Sequence, residues 1–232
     1  MPKITNRTVF MALMASIAFE ALQPAYAQSD SATGAVIAAR GGSKGALACV
    51  ACHGSAGEGN PAAGFPRLAG LNPRYIEEQL SNFARDYRPN GVMSPIAARL
   101  TPSEKTALAL FYGSLPWAPV AGAPGAGQGM ARDAGGSLIM RGRWEQNIPA
   151  CIQCHGPAAQ GVGAVFPPLR GQSAAYIAAQ LRAFKTGKRP GGPGNLMGAV
   201  AKRLSDADVI AIANHFGLAG QAQGTDPGRS MK

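Results

Sequence analysis

The sequence predicts an all-α protein built of two tandem helical units, and three observations carry that expectation. The 232-residue chain is rich in Gly, Pro and Ala, and its β-branched residues are too sparse for an extensive sheet. Four blocks of sequence recur in the same order at nearly one offset. Within each copy, apolar residues fall at helical spacing behind recognisable helix caps.

The repeat is explicit. Cys49-Val50-Ala51-Cys52-His53-Gly54 returns as Cys151-Ile152-Gln153-Cys154-His155-Gly156, 102 residues on. Phe65-Pro66-Arg67-Leu68-Ala69-Gly70 returns as Phe166-Pro167-Pro168-Leu169-Arg170-Gly171, and Tyr75-Ile76, Gln79-Leu80 and Phe83 return as Tyr176-Ile177, Gln180-Leu181 and Phe184, both 101 residues on. Met93 with Ala98-Arg99-Leu100 returns as Met197 with Lys202-Arg203-Leu204, 104 residues on. Two copies of a unit of about 100 residues account for the chain, an ordinary domain size.

Taken in order, residues 1–27 read as an export signal. Lys3 and Arg7 form a basic start, Val9 to Phe19 an apolar run of eleven, and Ala25-Tyr26-Ala27 a cleavage site that would leave Gln28 first. A run of eleven residues, apolar but for Ser16, is too short to span a bilayer, and Glu20 interrupts it. With no later apolar stretch of that kind, the exported chain is expected to be soluble and periplasmic. Residues 28–115 form the first unit. A segment before its Cys block supplies a helix, a second starts at Asn72-Pro73, and a third at Thr101-Pro102-Ser103-Glu104, where Thr caps and Glu sits at the third position. Residues 116–136 have linker composition. Residues 137–220 repeat the plan, with helix starts at Ser173 and at Ser205, where Asp208 holds the third position. Residues 221–232 read as a loose tail.

Four cysteines in an exported chain would ordinarily pair as two disulfides. Their spacing argues otherwise, because C-x-x-C-H is the attachment signature of c-type haem. The two thiols add to the two porphyrin vinyl groups as thioethers, and the adjacent imidazole becomes the proximal iron ligand. A structural zinc site would need its Cys pairs close together, a thioredoxin-like pair would need a βαβ pattern, and a disulfide within C-x-x-C would leave the His unexplained. Two covalent haems are therefore expected, on Cys49, Cys52 and His53 and on Cys151, Cys154 and His155. Met93 and Met197 lie 40 and 42 residues beyond these histidines, in Gly- and Pro-containing loops. They are expected as the sixth ligands, since a thioether favours ferrous iron and raises the potential; core filling is the competing role.

With these motifs in hand, the chain resembles a tandem of class I cytochromes c, and specifically the dihaem cytochrome c4 family. The resemblance runs through the Cys-His blocks, the Phe-Pro-x-Leu-x-Gly block, the Tyr-Ile-x-x-Gln-Leu helix and the Met segment. It implies a few helices wrapped around one covalent haem in each unit, with the units face to face and the haem propionate edges near the interface. It also implies that Pro66 and Pro167 present their carbonyls to the N–H groups of His53 and His155, a bond that fixes each ring and raises its basicity.

The function expected is electron transfer between respiratory or dehydrogenase partners, without catalysis. An electron-accepting subunit bound to a dehydrogenase needs the same haem chemistry. An enzyme, such as a dihaem peroxidase or a thiosulfate-oxidising dehydrogenase, would need an openable iron and acid–base groups nearby. Histidine is nearly exhausted, and the one remaining, His215, is expected to have a packing or surface role rather than to ligate a haem. The formal charge is +10, with 12 basic and 5 acidic residues from Gly129 onward against 8 and 6 between Gln28 and Gln128. That balance suits docking to an acidic redox protein and leaves peripheral association with a membrane open, while export and the absence of any recognised motif argue against nucleic acid. Within it, Arg182, Lys185, Lys188 and Arg189 read as a solvated face. Trp117 and Trp144, which flank the linker, are expected to help fix the contact between the units.

Overall fold

The computed structural model describes residues 24–116 and 133–218; most of the expected export signal, the middle of the linker, Trp117 and the tail lie outside them. The described residues are helical, with no strand among them and only isolated bridges closing loops, such as Asn60 with Phe65 and Val162 with Phe166. The first unit comprises α1 (Pro24–Arg40), α2 (Val50–His53), α3 (Pro73–Ala84), α4 (Met93–Ala98) and α5 (Pro102–Ser114). The second comprises α6 (Ala134–Arg141), α7 (Ile152–His155), α8 (Ala174–Lys185), α9 (Leu196–Ala201) and α10 (Asp206–Leu218). Packing repeats with the sequence: α5 lies against α1 and α3, and α10 against α6 and α8. No helix among the described residues is long and apolar enough to cross a membrane.

The caps fall where the sequence places them. Asn72 accepts a hydrogen bond from the N–H of Arg74, and Ser173 from that of Tyr176. The first helix of each unit ends before a glycine in the left-handed region, Gly41 at φ +93° and Gly142 at φ +72°. Helix α6 begins inside the segment expected as linker. Gly135 and Gly136 are buried helical residues, because Gly135 faces the Ala211 carbonyl of α10, where a side chain would collide. Each unit closes on its own core, Ile37, Ile76, Leu100, Leu108 and Tyr112 in the first and Ile139, Ile177, Val209, Ile212 and Phe216 in the second.

The α5 cap also ties down the loop that follows α1. Thr101 Oγ1 accepts from the N–H of Glu104 at 3.2 Å, while the Glu104 carboxylate accepts from the N–H groups of Thr101 at 2.8 Å and Ser43 at 2.6 Å. Burial works to raise this carboxyl's pKa, but the Ser43 and Thr101 N–H groups outweigh it and bring it to about 2. A depressed carboxylate contributes its stability fully above the ordinary value of 4.5 and loses it as pH falls toward 2. Glu104→Gln is therefore expected to lower stability by about 1–2 kcal/mol at neutral pH. In thermal melts the gap between the two proteins should close between about pH 4.5 and 2; a pH-independent gap would show that the charge contributes nothing.

Candidate haem centres

Each C-x-x-C-H block forms a single helical turn. His53 N–H donates to Cys49 O at 2.9 Å, and His155 N–H to Cys151 O at 3.0 Å. Positions i, i+3 and i+4 share a helix face, so one turn carries both thiols and the imidazole on one side. All four cysteines are free and half-buried. Burial pushes the Cys49 thiol up and takes that of Cys151 to about 11. No group of three or more His, Cys, Asp or Glu that could hold a metal ion by itself occurs among the described residues.

Both imidazoles are buried, 5% and 6% exposed, and each is fixed by a proline carbonyl. His53 Nδ1 lies 2.9 Å from Pro66 O, and His155 Nδ1 lies 2.7 Å from Pro167 O. Gly59 and Gly161, at φ +85° and +86°, let the proline loops come this close, since a Cβ at either would strike the chain at residues 65 to 67 or at 166 and 168. Burial lowers both histidine pKa values, with the proline carbonyls opposing it, which keeps the rings in the neutral, ligating form. With Nδ1 engaged, His155 Nε2 is a buried nitrogen without a hydrogen-bond partner. Beside the two thiols of the same turn, an iron atom is a partner that this nitrogen fits; His53 repeats the burial and the proline bond.

The methionines do not lie in loops. Met93 opens α4 and Met197 is the second residue of α9, both half-buried. Asn90 caps the Met93 turn, its Oδ1 accepting from Met93 N–H at 2.8 Å, while Met197 N–H donates to Gly191 O at 3.1 Å. Next to Met93 an open pocket of about 310 Å³ is lined by Leu47, Val92, Pro95, Ile96 and Arg99.

Between the units lies a buried polar cluster that the sequence reading missed. Arg88 donates to Gln79 Oε1 of its own unit, and across to Tyr176 Oη at 3.0 Å and Gln180 Oε1 at 2.6 Å. Arg189 returns the pattern, donating to Gln180 of its own unit, and across to Tyr75 Oη at 2.9 Å and Gln79 Oε1 at 3.2 Å. Each guanidinium lies 4.5 Å from a ring centroid of its own unit, Phe83 or Phe184. Arg189 is therefore no part of a solvated face: it is 8% exposed, whereas Arg182 and Lys188 are exposed and Lys185 pairs with Asp206 at 3.0 Å. The signal lay in Arg88-Pro89 recurring as Arg189-Pro190 at the repeat offset. Of the two roles expected for His215, the structure shows the buried one: it is 4% exposed and lies 3.3 Å from Asp133. Trp144, expected to help fix the contact between the units, is 58% exposed.

Two buried imidazoles, each beside a pair of unpaired thiols on one helical turn, define a c-type cytochrome with two haem centres. A cytochrome c family model matches residues 145–216. A thiosulfate dehydrogenase electron acceptor of Stutzerimonas stutzeri is 46% identical over 84% of this chain and 90% of its own length. Cytochrome c4 of Thiocapsa roseopersicina is 37% identical over 72% of this chain and 85% of its own. Among solved structures, a thiosulfate dehydrogenase from Marichromatium purpuratum is 44% identical with a TM-score of 0.72 over 81% of this chain; the chain spans 40% of that longer protein. The chain belongs to the dihaem cytochrome c4 family, and it is an electron-transfer protein carrying covalent haem c.

Proposed function

We propose that this chain is the electron acceptor of a thiosulfate-oxidising dehydrogenase and works in the periplasm after export. The observation that carries the reading is the 46% identity, over nine-tenths of its length, to a protein named for that role. The match to part of a longer thiosulfate dehydrogenase supports it. Cys49, Cys52, Cys151 and Cys154 would hold the haems covalently, and His53 with Met93 and His155 with Met197 would ligate the irons. Pro66 and Pro167 orient the histidines through the bonds already described. Haem c supplies a one-electron ferric/ferrous couple. The protein's part would be to ligate both irons fully with its own side chains, so that electrons pass without substrate binding and the chain performs no catalysis of its own. The basic second half docks an acidic face of the donor.

The test mixes the oxidised holoprotein with thiosulfate, with and without a thiosulfate-oxidising dehydrogenase, and follows haem reduction by stopped flow. Rapid reduction is expected only with enzyme and substrate together, and it should slow as ionic strength rises. Rapid turnover of thiosulfate by the chain alone would make it an enzyme. Slow reduction even with the dehydrogenase would place its donor elsewhere.

A further inference from the structure

The peptide joining Pro66 to Arg67 is engaged at both ends. Its carbonyl faces His53 Nδ1 at 2.9 Å, and its N–H donates to Gln172 Oε1 at 3.1 Å. Gln172 belongs to the second unit, and its Nε2 donates to Arg67 O at 2.8 Å. Arg67 and Gln172 are 2% and 5% exposed, so the contact lies out of water. The second unit cannot build the equivalent. Its matching peptide joins Pro167 to Pro168, and a proline nitrogen has no hydrogen to donate. His155 meets its carbonyl, but no bond stands behind that carbonyl.

We infer that Gln172 is a positioning residue for the first haem centre: by accepting the Arg67 N–H it polarises the Pro66 carbonyl, strengthens the His53 bond and lowers that centre's reduction potential. The inference rests on His53 being the proximal ligand. Hydrogen bonds joined through one amide reinforce each other, by roughly 10–30% per bond in a low-dielectric interior. A more firmly bonded imidazole is a more basic ligand, and a more basic ligand favours ferric iron. Two centres with matching ligand sets are thereby made unequal by one side chain reaching across from the other unit. The asymmetry depends on what stands behind each carbonyl, and the sequence difference Arg67 against Pro168 enforces it.

The test is a redox titration of the holoprotein, with haem-methyl proton resonances assigning each potential to its centre. Gln172→Leu should raise the first centre's potential and leave the second unchanged. The expected shift in the ferric-to-ferrous ratio is about two- to fourfold, or about 18–36 mV. Arg67→Pro, which removes the N–H, should do the same relative to Arg67→Ala, which keeps it. Unchanged potentials in both Gln172→Leu and Arg67→Pro, or equal shifts at both centres, would overturn the relay. Near-infrared magnetic circular dichroism of the parent protein reports the axial pair independently. Absence of a His–Met signature at the first centre would overturn the ligand assignment, a result separate from a failed relay.

Discussion

Met93→Ala protein is expected to bind one equivalent of carbon monoxide per chain in the ferrous state, where the parent binds none. The substitution leaves Cys49, Cys52 and His53 in place, so both haems remain attached and only a sixth position opens. The affected centre should turn high-spin. Its potential should fall by on the order of 100–200 mV, a modest share of the roughly 0.8 V that axial ligands command. Met197→Ala should open the other centre, and the double variant should bind two equivalents. Met197 also packs against the second core, so its loss carries a cost in stability that Met93→Ala escapes. Carbon monoxide titration with optical detection decides the matter: a single variant that still binds none removes that methionine from the ligand set.

Gly34→Ala and Gly135→Ala are expected to destabilise their own units by about 2 kcal/mol or more, although alanine is the better helix former by up to about 1 kcal/mol. At Gly34 helix α1 rides directly on the Ala107 carbonyl and Phe111 Cβ of α5, and at Gly135 helix α6 rides on the Ala211 carbonyl of α10. A methyl group would land in backbone, which cannot swing aside as a side-chain tip can, so the helices must part. For a unit of this size the loss corresponds to a melting temperature lower by roughly 10 °C. Calorimetry of the holoprotein should show only one of the two units affected by each variant. A raised melting temperature would mean that the crossing relaxes and helix propensity wins.

Most of the architecture was legible because it is local and written twice. The caps at Asn72, Thr101, Ser173 and Ser205 need only a few neighbouring residues, and the repeat confirms each of them. Where the reading failed, the physics lay beyond a window of sequence. Helices α4 and α9 are six residues each, too short to show a period, so their Gly- and Pro-rich approaches read as loops. Gly135 and Gly136 read as linker because a glycine chosen for close helix contact looks the same as one chosen for flexibility. Arg189 read as one more surface charge in a basic run, although its repeat partner Arg88 stood in plain sight. The Gln172–Arg67 contact has no repeat counterpart and joins residues 105 apart, so no local pattern could reveal it.

The mirrored cluster of Arg88 and Arg189 has a historical meaning as well as an energetic one. Every group there meets the counterpart of its own partner, which is the geometry two identical chains adopt about a twofold axis. In such a pair any substitution appears on both sides at once, and symmetry forbids the halves from diverging. Joining them in one polypeptide lifts that restriction, because each copy then mutates alone. Arg67 against Pro168, and Gln172 against Leu71, are differences that two identical chains could not hold. The tandem arrangement is thus what allows a symmetric pair to acquire direction.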